Sequence, residues 1–92
     1  MKPPEYHSVS DVFAVAGQLR DRLAQTGQHP AAKELDDVLT CAFTTGSEAL
    51  GEIGLALNRV RPIVEKCLDN DALVLLDSAV EGSNKLWNRS NY

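Results

Sequence analysis

The fold is decided by the stretch FTTGSEALGEIGLALNRVRP, residues 43–62, which holds three glycines within a regular run of apolar residues. Around it, two sets of apolar or small residues, each spaced seven apart, interleave at steps of four and three over residues 35–67. This spacing is typical of a helix with a continuous apolar face. The question is whether the region forms one helix or two helices joined at TTGS, residues 44–47.

The unbroken phase of the apolar positions favours one helix, because a turn at residues 44–47 would normally shift it. We therefore predict an all-α fold, a bundle of three helices with a long bent central helix of roughly 37 residues. Bends are expected near residues 44–47 and near Pro62, since proline removes a helical hydrogen bond. Shorter helices over residues 9–26 and 70–89 would flank the central one.

The alternative is a four-helix bundle with a break near residues 44–47. Thr45 and Glu48 have the spacing of a capping box, which starts a helix. A glycine inside a helix is also less favourable than alanine by about 0.8–1 kcal/mol, and an unbroken helix would contain several. From the residues alone, both arrangements stay open.

Small residues occupy the inner face of the predicted central helix and would let two helices approach closely. Two flanking helices cover only part of an apolar face that extends over residues 35–67, so the sequence predicts a homodimer with a four-helix-type core. Gly51 and Gly54 fall on the outer face in this arrangement. The predicted interface residues are Leu39, Ala42, Gly46, Ala49, Ile53, Ala56 and Val60.

The length of 92 residues indicates one domain. We predict a flexible N-terminal arm over residues 1–7 and a single helical domain over residues 8–90. The net charge of −4 argues against binding nucleic acid through its phosphates, whereas acidic surfaces suit a basic protein partner. No apolar signal segment or membrane-length apolar run is present, so we expect a cytoplasmic protein without membrane contact.

The sequence predicts no catalytic, cofactor-binding or metal-ligating residues. His7 and His29 have no second ligand at metal-binding spacing. Cys41 and Cys67 lie in apolar surroundings and are expected to be buried, reduced thiols. These observations favour a non-enzymatic protein.

The segment LGEIGLALNRVRPIVEKCL, residues 50–68, resembles a helix-turn-helix of the sigma-factor kind, in which an EIG…L segment leads to a recognition helix. The resemblance implies a small DNA-binding regulator. Only Asn58 separates Leu57 from Arg59, however, where the motif needs a turn of several residues. Pro62 also falls inside the second helix of the motif.

The favoured hypothesis is therefore a helical protein–protein interaction module that self-associates and binds a protein partner. The first alternative is a small acidic immunity or inhibitor protein that neutralises a basic toxin or nuclease. The second alternative is the DNA-binding regulator.

Overall fold

The computed structural model describes residues 6–90, which form four helices and contain no strand. The all-α prediction is confirmed. Residues 1–5 of the predicted N-terminal arm lie outside the described residues. The helices are α1 (Val9–Gln25), α2 (His29–Leu39), α3 (Gly46–Cys67) and α4 (Asn70–Ser90).

The continuous central helix is corrected by the structure, which follows the four-helix alternative. The chain leaves the helical conformation after Leu39 and re-enters it at Gly46. The new start is fixed by a cap: Oγ1 of Thr45 accepts a hydrogen bond from the backbone N–H of Glu48 at 3.1 Å. The Glu48 carboxylate accepts one in return from the backbone N–H of Thr44 at 3.3 Å. The first bond satisfies an N–H group that a helix start leaves unpaired, and the second fixes the residue before the cap, so both stabilise the break.

The connection between α1 and α2 ends the first helix with a Schellman motif. The backbone N–H of Gln28 donates to the carbonyl of Leu23 at 2.8 Å, and that of Gly27 donates to the carbonyl of Ala24 at 3.1 Å. Gly27 has φ +82°, in the left-handed region that glycine adopts without strain. Pro30 then occupies the first turn of α2, where a proline costs no helical hydrogen bond.

Helix α4 begins at a carboxylate that also binds α1. Oδ1 of Asp69 accepts a hydrogen bond from the backbone N–H of Ala72 at 2.9 Å. Its other oxygen, Oδ2, lies 2.8 Å from Nη2 of Arg22. The hydrogen bond from Ala72, assisted by the guanidinium charge of Arg22, holds the pKa of Asp69 below its ordinary value.

Helices α1 and α3 form the centre of the bundle, since each of them contacts all three other helices. Helix α3 packs between α2 and α4, and among the described residues only α2 and α4 do not contact each other. None of the described helices is long and apolar enough to cross a membrane. The fully buried large side chains of the core are Val12, Leu19, Leu23, Leu35, Ile53, Leu57, Val64 and Leu76.

Candidate functional site

The structure places most of the predicted interface residues inside the chain's own core. Leu39 is half-buried, while Ala42 and Gly46 are exposed near the break between α2 and α3. The seven residues are therefore not brought together on one surface, because α1 and α4 cover the face of α3 that the sequence left for a second chain. The four buried residues are Ala49, Ile53, Ala56 and Val60, none more than 5 % exposed.

An apolar groove of about 310 Å³ runs between α3 and α4, and we call it the α3–α4 groove. Its rim carries two of the most exposed large apolar side chains described, Leu55 at 52 % and Trp87 at 38 %. Leu50 and Val80 add apolar lining, and Asn58 is among its polar neighbours. None of the described residues that line this groove carries a charge.

Two glycines of α3 lie in the α3–α4 groove rather than on the outer face predicted for them. A Cβ atom at Gly51 would lie 3.5 Å from Cζ3 of Trp87, and one at Gly54 would lie 3.4 Å from Oγ of Ser83. Both distances are ordinary van der Waals contacts, so these two positions of α3 lie directly against α4. Apolar periodicity alone predicts an outward position for both glycines, because it does not show that α4 lies on that side of the helix.

A second groove, of about 420 Å³, lies between the end of α2 and the start of α3, and we call it the acidic groove. Val38, Cys41 and Phe43 supply its apolar lining. The ring of Phe43 packs edge-on against that of Phe13 in α1, with 6.5 Å between the ring centroids. This contact between aromatic rings fixes the segment that connects α2 to α3 against the bundle.

Three carboxylates border the acidic groove and differ in their partners. Asp37 forms an exposed ion pair with Lys33, 3.0 Å from its Nζ. Glu48 accepts a hydrogen bond from the hydroxyl of Thr44 at 2.8 Å. Glu52 makes neither an ion pair nor a hydrogen bond with the described part of the chain. The groove thus combines an apolar lining with excess negative charge.

Ion pairs within the chain take up much of its positive charge. Arg61 binds Asp77, across the contact between α3 and α4. The other pairs among the described residues are Arg20–Asp21, Arg20–Asp36, Arg22–Asp69, Lys33–Asp37, Arg59–Glu34 and Lys85–Glu81.

The segment that resembles a helix-turn-helix lies almost entirely within one helix. Helix α3 continues without interruption through Leu57, Asn58 and Arg59, where the motif needs its turn. It also continues past Pro62 to Cys67. The two-helix arrangement that the resemblance implies is therefore not present in this segment.

Both cysteines are exposed, which corrects the expectation that they are buried. Cys41 follows α2 in the connection to α3, and Cys67 is the last residue of α3. Apolar neighbours in the sequence predict burial only if both cysteines lie within one continuous helix, and the break after α2 removes that condition for Cys41. In the described part of the chain, no group of three potential ligands is arranged to hold a metal ion.

The comparisons with known proteins returned no match of this chain to any family model, curated protein or solved structure. The features of the described residues that bear on function are the α3–α4 groove and the acidic groove.

Proposed function

We propose that the protein is a non-enzymatic helical interaction module that self-associates through the α3–α4 groove and binds a protein partner. The observation that carries this proposal is the pairing of exposed Leu55 and Trp87 at the rim of a concave apolar surface. Tryptophan is enriched among the residues that dominate binding energy at protein interfaces. An indole beside a glycine-lined groove provides such an anchor.

The absence of charge in the lining of the α3–α4 groove supports a second copy as its occupant. Each chain carries a net charge of −4, so two copies repel each other where their carboxylates meet. The described lining residues of this groove are neutral, and two copies can meet there without opposing carboxylates. A symmetric dimer would place the same groove of both chains at the interface.

The test uses Trp87, which is the only tryptophan of the chain. We expect its fluorescence emission to shift to shorter wavelength as protein concentration rises, in parallel with a dimer mass by light scattering. Leu55→Glu should prevent both changes because it places a charge in the groove. A monomer mass at all concentrations, with unchanged Trp87 emission, would refute self-association.

The matched control is Val74→Glu. Val74 is 47 % exposed, close to the exposure of Leu55, and it does not line the α3–α4 groove. We expect the Val74→Glu variant to dimerise like the original chain. Equal loss of dimer in both variants would place the contact on a different surface.

The acidic groove favours a second candidate function, the acidic inhibitor of a basic protein. Its three carboxylates would attract positively charged side chains of such a target. If this candidate is right, replacing the three carboxylates by neutral amides abolishes binding of the target. Dimerisation through the α3–α4 groove should not change.

A further inference from the structure

We propose that the acidic groove is the docking site for a basic, amphipathic segment of a protein partner. An apolar side chain of that segment would pack on Val38, Cys41 and Phe43, and its Lys or Arg side chains would pair with the carboxylates at the rim. This inference rests on the proposed role in protein binding, but it uses a different surface from the α3–α4 groove.

The lining of the acidic groove explains the apolar part of the ligand. Val38 and Phe43 are each only partly buried, and Cys41 is exposed, so apolar surface remains in water between α2 and α3. The packing of Phe43 on Phe13 holds this surface in place before a ligand arrives. A preformed concave surface of about 420 Å³ is suited to receive a bulky apolar side chain.

The rim explains the basic part of the ligand. Glu48 and Glu52 lie one helical turn apart in α3 and repel each other, with Asp37 across the groove. Glu52 has no partner in the described part of the chain. A cation bound between these carboxylates would relieve the repulsion and supply the missing partner.

The negative charges of these carboxylates argue against a second copy of the chain as the ligand of this groove. Two copies joined here would bring two sets of carboxylates together. Lys33 lies four residues before Asp37 in the sequence and already forms an ion pair with it. Because that pair is exposed, a basic ligand can compete for Asp37 at little cost.

The test measures fluorescence anisotropy of a labelled amphipathic peptide made of Leu and Lys. Two control peptides are used, one with Glu in place of Lys and one with Ser in place of Leu. We expect binding of the Leu–Lys peptide that weakens as salt is raised. Replacing Leu by Ser should weaken binding by at least about tenfold, and the acidic peptide should not bind.

The decisive variants are Glu52→Gln and Glu52→Lys, because Glu52 makes no hydrogen bond or ion pair in the described part of the chain. We expect Glu52→Gln to weaken binding about two- to five-fold, and Glu52→Lys to weaken it further. Glu65→Gln is the matched control, since Glu65 is exposed on the same helix and does not line the acidic groove. It should leave the dissociation constant unchanged.

Several results would overturn the inference. These are no binding of the Leu–Lys peptide, equal binding of the Ser–Lys peptide, or equal weakening by Glu52→Gln and Glu65→Gln. Dimerisation that responds to Glu52→Lys would identify a second copy as the occupant and would also overturn it. Failure of self-association is distinguishable, because a monomer that binds the peptide through Glu52 supports this inference while refuting the dimer.

Discussion

The hydroxyl of Tyr6 lies 2.9 Å from Oγ of Ser78, 72 positions later in the chain. The ring of Tyr6 packs over Gly82, where a Cβ atom would lie only 2.5 Å from Cδ2 of the ring. The glycine thus forms a notch in α4 that receives the aromatic ring. Tyr6 belongs to the predicted flexible arm, yet this residue is held against α4 by a hydrogen bond and by packing.

The notch predicts that the effect of Gly82→Ala changes sign with the residue at position 6. In the original chain, the new methyl group should displace the Tyr6 ring and lower the free energy of unfolding. In a Tyr6→Ala background, the same substitution should raise it by about 0.8–1 kcal/mol through helix propensity. Thermal and denaturant unfolding of the four variants gives the coupling energy, expected at about 1–3 kcal/mol. Additive effects would contradict contact between the two residues.

The pKa of Tyr6 predicts a loss of stability at alkaline pH. Burial raises this pKa above its ordinary value of 10.0, and the negative charge of Asp11 adds to the effect, while the hydrogen bond with Ser78 opposes it. The neutral phenol is therefore favoured in the folded state. Its contribution to stability should be complete below pH 10 and should decrease as pH rises through the elevated pKa.

Tyr6→Phe is the control for this titration, because it keeps the ring and removes the ionisable hydroxyl. The difference in unfolding free energy between the two proteins should be constant below pH 10 and should change above it. Tyrosinate absorbance in the folded protein would report the titration directly. Parallel stability profiles at alkaline pH would show that Tyr6 does not contribute.

Two glycines should differ in how much an alanine substitution destabilises the protein. Gly27 has φ +82°, so Gly27→Ala should destabilise the protein by about 1–2 kcal/mol, and Gly27→Asn by less. Nothing lies within 4 Å of a Cβ atom there, so the cost is conformational. Gly46 begins α3, and its Cβ atom would lie 3.4 Å from Cγ2 of Val9. Chemical denaturation should find Gly46→Ala the better tolerated of the two.

The two roles of Asp69 predict a loss of stability in acid. Its pKa is below the ordinary value of 3.8, so its contribution is complete above pH 3.8 and is lost as pH falls through the lower folded pKa. Asp69→Asn can still cap α4 but loses its charge toward Arg22. This variant should show a smaller decrease in melting temperature between neutral and acid pH. An unchanged acid dependence would show that other carboxylates control it.

The sequence predicts the helical class, but the favoured continuous helix misses the break between α2 and α3. The seven-residue phase runs through Leu39 and Gly46 because α2 and α3 both direct their apolar faces into the same core. A continuous phase therefore does not require a continuous helix. The spacing of Thr45 and Glu48 is the local signal that correctly locates the break, since the Thr45 hydroxyl caps the new helix by accepting from the backbone N–H of Glu48.

The grooves could not be derived from the sequence because they depend on which helices are neighbours. Gly51 and Gly54 have no recognisable role until α4 is known to lie against them. Cys41 and Phe43 join Glu52 in one groove only because the chain turns between α2 and α3. Periodicity identifies which side of a helix is apolar, whereas contacts across helices require the tertiary arrangement.

The position of α4 after the other three helices has a consequence for synthesis on the ribosome. Helices α1, α2 and α3 emerge first, and the side of α1 that contacts α4 stays exposed to water during that time. The contacts from Tyr6 to Ser78 and from Arg22 to Asp69 cannot form until α4 has left the exit tunnel. The bundle therefore cannot complete its core before α4 has emerged, and until then α1, α2 and α3 present apolar surface to chaperones.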